Sequence, residues 1–354
     1  MKTRDEKEAV RDICEANGLS KDVYEKRPES LARIEMMMFN FPKLQGLGAF
    51  VGLVELTVLQ QSISELEGLQ QLVNLEKLWV CETNVSVIEG LDALKKLKHL
   101  YLYSNRIQKI DNLTNLPSLR VLWLSGNEIS TIENLEHVTG LTQLYLAGNR
   151  LSCIGTGLRA LSNLEELVIS GNSLWSFKDA LNLRELPLLS RLNLGDAEYG
   201  ENPICELCNY HTYCLYHFQQ LTCLDNLCVS EDAKQAAEGT YMKKKMYYNM
   251  RMKTIKRNSS NLTRYARDCV RQRTESLASS IRWLSHCKHD LHAAAADHLP
   301  SKDLISAKIA AVDRALSVLS AEDTALRARF DSFKKTISDL CESTCAAASR
   351  GVYL

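Results

Sequence analysis

The sequence predicts an α/β solenoid, with short parallel strands on its concave face and a C-terminal cap, followed by an all-α helical hairpin or coiled coil. Two regularities and one break carry that expectation. A leucine string, LxxLxL, opens at Leu53, Leu75, Leu97, Leu119 and Leu141, each 22 residues after the last, and again at Leu164 and Leu189. A heptad stripe of apolar residues runs from Ile305 to Leu340. Between the two, over residues 201–230, the leucine period stops.

The composition fits two globular regions. Of 354 residues, 45% are hydrophobic and 24% charged, which excludes a chain that is disordered throughout. The N-terminus MKTRDEKEAVRDIC is charged where a signal peptide needs an apolar run, and no apolar segment approaches the roughly 20 residues of a membrane span. A reducing, cytoplasmic location without membrane contact is therefore expected. There the 12 cysteines would be free thiols and the glycosylation sequons at Asn84, Asn112, Asn258 and Asn261 incidental. A net charge of zero conceals an uneven distribution: residues 50–229 carry about 20 acids against 12 bases, and 241–275 about 11 bases against 2 acids.

In chain order, residues 1–28 form an N-terminal helical segment and 29–200 the solenoid. A fixed period of 20 to 29 residues with this string is the signature of leucine-rich repeats. In LKHLYLYSNRIQKIDNLTNLPS, residues 97–118, Leu97, Leu100, Leu102, Ile107, Ile110, Leu113 and Leu116 point inward. Asn105 buries its amide where the chain turns after its strand, satisfying backbone groups. Asn127, Asn149 and Asn172 hold the same place, whereas Gln61, Thr83 and Ala197 break the series. Stepping back from Leu53 lands on Leu31, Ile34, Met36, Leu44 and Leu47, which predicts an atypical capping repeat. Residues 201–230, with their NP, Tyr210 and LTCLDNLCV, read as a C-terminal cap of one helix and a final turn.

Side chains alternate along a strand, so the residue between the last two leucines of each string faces away from the core. Those residues are Trp79, Tyr101, Trp123 and Tyr145. At a strand spacing of about 4.8 Å they should form a continuous exposed ladder on the concave face. Lys77, His99, Val121 and Gln143, two residues earlier, flank it. Large rigid aromatics anchor protein interfaces, and the ladder is the predicted protein-binding site. The plainer alternative is that the rings only cover the sheet.

No phosphate-cradling glycine loop, GxSxG or HExxH is found, so neither catalysis nor a cofactor is expected. Cys205, Cys208, His211 and Cys214 have the number and kind of zinc ligands. On a cap helix rising 1.5 Å per residue, however, Cys205 and Cys214 lie roughly 13 Å apart, too far for one ion. The threefold spacing instead predicts packed thiols on one buried helix face, with no metal.

Residues 231–299 form a long basic helix, 300–345 a heptad helix with Ser301 as N-cap, and 346–354 a tail. The heptad stripe is Ile305, Ile309, Val312, Leu316, Leu319, Leu326, Phe330, Phe333, Ile337 and Leu340, with Asp323 in one core slot. A weaker stripe in the preceding helix comprises Ile255, Leu262, Cys269, Leu277, Ile281, Leu284 and Leu291. The spacing is satisfied equally by an antiparallel hairpin and by a coiled-coil partner chain. Within MKKKMYYNMRMKTIKR, residues 242–257, Tyr248, Met252 and Ile255 share one face with Tyr241, and Met242, Met246 and Met250 another roughly 140° away. Two apolar faces suit a helix held between two protein surfaces. A membrane-surface helix or calmodulin target needs only one, and a nucleic-acid arm needs neither methionine seam.

NPICELCNYHTYCLYHF followed by MKKKMYYNMRMKTIKR resembles the end of the first repeat array in the leucine-rich repeat-containing protein nine family, which is associated with motile cilia and flagella. ANGLS at 16–20, IEMMMFNFPKLQGL at 34–47 and LYLYSNRIQKIDNL at 100–113 are also similar. The resemblance covers about residues 13–257; the family continues into further arrays that are not found here. It implies a non-catalytic scaffold in the axoneme, with axonemal or cytoskeletal proteins as partners. The repeats are also similar to those of outer-arm dynein light chain one and of the phosphatase-one regulatory subunit, which supplies an alternative: a regulatory subunit binding a protein phosphatase through the concave face.

Overall fold

Leucine at every second position of a short strand, repeated at a fixed interval, can be buried only if successive strands stack in register. The computed structural model, which describes residues 4–20, 27–37, 43–44, 46–296 and 302–353, stacks them so. Strands β1 (Arg33–Met36), β2 (Glu55–Leu59), β3 (Lys77–Cys81), β4 (His99–Tyr101), β5 (Val121–Trp123), β6 (Gln143–Tyr145), β7 (Glu166–Val168) and β8 (Arg191–Asn193) form one parallel sheet in sequence order. The register aligns Leu56, Leu78, Leu100, Leu122, Leu144, Leu167 and Leu192 across the sheet. All are fully buried in one continuous core.

The predicted capping repeat forms β1, with Ile34, Met36, Leu44 and Leu47 buried and Leu31 partly so. Helix α1 (Arg4–Ala16) covers the end of the core with Val10, Ile13 and Cys14. At its C-terminal end Asn17 closes the open edge of β1: its side-chain amide donates to the Glu35 carbonyl at 2.8 Å and its Oδ1 accepts from the Glu35 N–H at 2.8 Å. A side chain thus stands where another strand would pair.

The buried asparagines do what their spacing predicts. The Asn127 amide donates to the carbonyls of Leu102 and Leu124 at 2.9 Å each, and its oxygen accepts from the Ile107 N–H at 3.0 Å. Asn105, Asn149 and Asn172 repeat the pattern. The series does not end at Ala197. Asn202, fully buried, donates to Ile169 and Leu194 and accepts from the Leu174 N–H at 3.0 Å. An inserted hairpin, β9 (Gly195–Asp196) with β10 (Gly200–Glu201), displaces the position by five residues. Asn112 and Asn134, both at positive φ, donate to Ile88 and Ile110 in a second, outer ladder.

After the short helix α2 (Phe177–Ala180), the cap consists of α3 (Tyr210–His217) and a terminal hairpin, β11 (Cys223–Leu224) with β12 (Leu227–Cys228). Tyr210 is buried and its hydroxyl donates to Asp225 at 2.6 Å. The expectation that Cys205, Cys208, His211 and Cys214 share one buried helix face is wrong. Pro203 and the left-handed Asn209 confine the helix to Tyr210 onward, leaving Cys208 and His211 exposed and only Cys214 fully buried. Among the described residues no three His, Cys, Asp or Glu side chains are placed to hold a metal ion.

The chain divides into two units, 1–241 and 242–354. Helix α4 (Glu231–Ala296) starts in the first. Ser230 caps it, its hydroxyl accepting from the Ala233 N–H at 3.2 Å, and Glu231 and Asp232 complement the helix dipole. In the second unit α4 and α5 (Lys302–Tyr353) lie antiparallel, tied by Arg273–Glu322 at 2.7 Å and Lys288–Asp313 at 2.5 Å. Helix α5 continues beyond residue 345, through the alanine run that the sequence reading assigned to a tail; the expected N-cap, Ser301, lies outside the described residues. No described helix is long and apolar enough to cross a membrane.

The facing stripes differ from those expected. In α4 the shielded positions Tyr248, Met252, Ile255, Ser259, Thr263, Ala266, Val270, Thr274, Leu277 and Ile281 recur every 11 residues. Eleven residues over three turns match an unstrained helix, whereas a seven-residue step drifts off the face. Leu262 and Cys269, one and two such steps from Ile255, are therefore exposed. Helix α5 keeps the expected positions from Ile305 to Phe330 and again at Ile337, but Cys341, 11 residues after Phe330, is shielded in place of Leu340, and Phe333 and Leu340 are exposed.

Candidate protein-binding surface

The four aromatic positions fall in one row because the parallel register pairs Trp79 with Tyr101, Tyr101 with Trp123, and Trp123 with Tyr145. The rings touch. Trp79 and Tyr101 stack at 4.5 Å between centroids and 5° between planes, Tyr101 and Trp123 lie 6.0 Å apart at 47°, and Trp123 and Tyr145 stack at 4.4 Å and 21°. Each ring is half-buried rather than fully exposed, since its neighbours cover its faces. Stacked pairs of this kind contribute about 0.5 to 1.5 kcal/mol beyond the area they bury, so the ladder is rigid before any partner arrives.

The flanking row runs Lys77, His99, Val121, Gln143, Glu166 and Arg191. The Lys77 ammonium sits 5.9 Å from the Trp79 ring centre, within cation–π range. Val121 is buried, leaving a break between a basic end and a paired end. At the paired end Glu166 accepts from Arg191 at 2.5 Å and from Gln143 at 3.2 Å. Burial, reinforced by Glu166, pushes the Tyr145 hydroxyl well above the ordinary tyrosine range. Burial first, then Lys77 and Lys98, lowers the pKa of His99, whose Nδ1 is enclosed without a hydrogen-bond partner.

Two aromatic residues that the sequence reading passed over join this face. Tyr103 lies two residues beyond Tyr101 on the same side, with its ring 5.8 Å from Trp123; burial raises its hydroxyl to about 12. Tyr199 arrives on the β9–β10 hairpin and lies over Gly148, where an added Cβ would approach its ring to 2.3 Å. Asp196 holds the hairpin by accepting from the N–H groups of Glu198 and Tyr199 and from the Ser170 hydroxyl. Strand alternation was sufficient to find Tyr103. Nothing short of the hairpin's path brings Tyr199 in.

The second predicted surface is on α4. Met242, Met246 and Met250 are exposed, and with Lys243, Lys245, Asn249 and Lys253 they line a depression of about 510 Å³. Tyr248, Met252 and Ile255 are half-buried on the other face. Tyr241 stacks on Tyr216 of the cap helix at 3.8 Å. The concave row and the methionine face lie in different units.

The pattern of the leucine-rich repeat family matches residues 113–255. The chain is a leucine-rich repeat protein. Among solved structures this repeat protein is similar to a chain of the Drosophila melanogaster SNF/U2A′ complex, at 30% identity over 38% of this chain and 75% of that one, with a TM-score of 0.34. It is also similar to an internalin (inlF) of Listeria monocytogenes, at 21% identity over 56% of this chain and 62% of that one, with a TM-score of 0.44. An internalin C2 from the same bacterium matches at 23% identity over 56% and 88%, with a TM-score of 0.48. The repeat protein thus spans less than two thirds of the first internalin.

Proposed function

We propose that this repeat protein is a non-catalytic scaffold of the motile cilium or flagellum axoneme. It grips one axonemal or cytoskeletal partner on the concave aromatic ladder and others through its C-terminal helices. The observation that carries the binding role is the continuous stack from Trp79 to Tyr145. A rigid apolar row bordered by Lys77 and Gln143 matches the make-up of interface hot spots. The resemblance of residues 201–257 to a ciliary family supports the axonemal setting, and the exposed Met242, Met246 and Met250 support a second contact.

The test is to tag the chain in a flagellated cell, extract the membranes with detergent and follow the tag. Retention on the axoneme that is lost in the double variant Trp79→Ala, Trp123→Ala is expected. A tag washed out entirely with the detergent would remove the axonemal setting. Recovery of a phosphatase catalytic subunit with the wild type, and not with the double variant, would favour the regulatory-subunit alternative.

A further inference from the structure

The terminal hairpin of the solenoid sets two thiols against each other. Asp225 and Asn226 both have positive φ, 49° and 62°, as a two-residue type I′ turn requires. The strands therefore pair Leu224 with Leu227 and Cys223 with Cys228. The hydrogen bonds settle which kind of pair the cysteines form. Val229 N–H donates to the Thr222 carbonyl at 2.9 Å, while the Cys223 and Asp225 N–H groups point the other way, to the carbonyls of Ser190, just before β8, and of Leu192 within it. Cys223 and Cys228 are thus a non-hydrogen-bonded antiparallel pair. In such pairs the Cα atoms are about 4.5 Å apart and the side chains on the same side of the hairpin, whereas disulfides span Cα separations from about 4.4 to 6.8 Å.

We propose that Cys223 and Cys228 are a redox modification site that closes to a reversible cross-strand disulfide when it meets a small-molecule disulfide such as oxidised glutathione. Cys228 is exposed and Cys223 half-buried beside Arg191, so their roles differ. The Cys228 thiolate attacks one sulfur of glutathione disulfide and expels one glutathione thiolate. The Cys223 thiolate then attacks the Cys228 sulfur of the mixed disulfide and expels the second. One sulfur–sulfur bond forms in the protein as one is lost from the oxidant, two electrons pass to glutathione, and the two thiol protons end on the departing thiolates. Burial raises the Cys223 pKa, and Cys228 adds to the rise while Arg191 opposes it, consistent with Cys223 as the resolving thiol. Cβ atoms in these pairs stand about 4.5 to 5.5 Å apart, against a mean near 3.8 Å in disulfides, so the bond should be readily reduced. It would fix the last strand of the sheet, next to the Arg191–Glu166 pair that ends the concave row.

The full chain can be incubated in graded mixtures of reduced and oxidised glutathione, alkylated, and cleaved on the N-terminal side of aspartate. Cleavage before Asp225 separates the two cysteines, leaving their peptides joined only by a disulfide. The expected product is a peptide pair linked through Cys223 and Cys228, about tenfold more abundant than Cys228 bound to glutathione, because the second displacement is intramolecular. Cys223→Ser should convert Cys228 to its glutathione adduct. Wild-type protein in which Cys228 accumulates that adduct while Cys223 remains alkylatable would overturn the proposal, as would a Cys228 linked chiefly to Cys205, Cys208 or Cys214.

Discussion

The solenoid and the helical arm are both built on leucine periods, yet they shelter those leucines differently. From Val10 to Leu224 the apolar residues form one continuous core, most of them fully buried. Among the described side chains from 242 to 346 only Leu277 is buried, at 3% exposure, and the rest of the seam is half-open. A stacked sheet covers each leucine with the repeats on both sides, whereas two helices alone cover only one face of each other. The solenoid therefore supplies its own stability, and the arm has apolar surface to offer.

The largest effects should fall on the solenoid interior. Asn127→Ala leaves the Ile107 N–H without its partner and removes one of two donors from each of the Leu102 and Leu124 carbonyls, which keep Asn105 and Asn149, so a loss of about 1 to 3 kcal/mol is expected. Leu122→Ala should cost about 2 to 5 kcal/mol. Denaturant titration followed by circular dichroism measures both. In the arm, Leu277→Ala should cost about 2 kcal/mol and Leu316→Ala, at a half-open position, about 1 kcal/mol. If Leu316→Ala proved as costly as Leu122→Ala, the contrast between the two regions would fail.

This contrast also sorts what the sequence made legible. The 22-residue period fixed the solenoid strands and the asparagine ladder, since each demands a residue type at a set interval and most repeats supply it. Asn202 escaped because the Gly195–Glu201 hairpin shifts it, and the same insertion carries Tyr199 onto the concave face. In the arm, counting apolar residues pointed to Leu262 and Cys269, but the seam there is built from Ser259, Thr263, Ala266 and Thr274. Thr263 and Thr274 satisfy their hydroxyls on carbonyls four residues back, so small polar side chains sit in the seam without a polar partner across it. Hydrophobicity alone cannot reveal such a seam.

The arm's methionine face allows a sharper test, on assembly rather than folding. If the proposed axonemal contact uses this face, replacing Met242, Met246 and Met250 with serine should abolish retention on the axoneme, whereas Lys243→Gln with Lys245→Gln should mainly slow association and weaken its dependence on salt. Retention in axonemal extracts after the methionine change, with loss after the lysine change, would reverse that assignment. Smaller still are the cross-helix ion pairs. Lys288–Asp313 and Arg273–Glu322 are partly exposed, and breaking either with Asp313→Asn or Glu322→Gln should cost less than about 1 kcal/mol, falling further as salt is added.

The smallest effect returns to the concave face and fixes a sign. His99 has its pKa lowered by burial and by Lys77 and Lys98, with Glu76 acting the other way. The folded protein therefore holds a proton on this ring less readily than the unfolded chain, whose ordinary value is 6.5. As pH falls through that value the unfolded chain binds the proton first, so His99's contribution to stability is present above it and declines below it, until the folded ring is protonated too. Stability measured by denaturant between about pH 7.5 and 5.5 should fall with pH more steeply in the wild type than in His99→Gln. The comparison is between two proteins sharing the other seven histidines, so the difference in slope belongs to this ring. A variant with the steeper slope would mean that His99 gains a proton on folding, and the half-buried rings and lysines around it would then have to be read as stabilising the imidazolium.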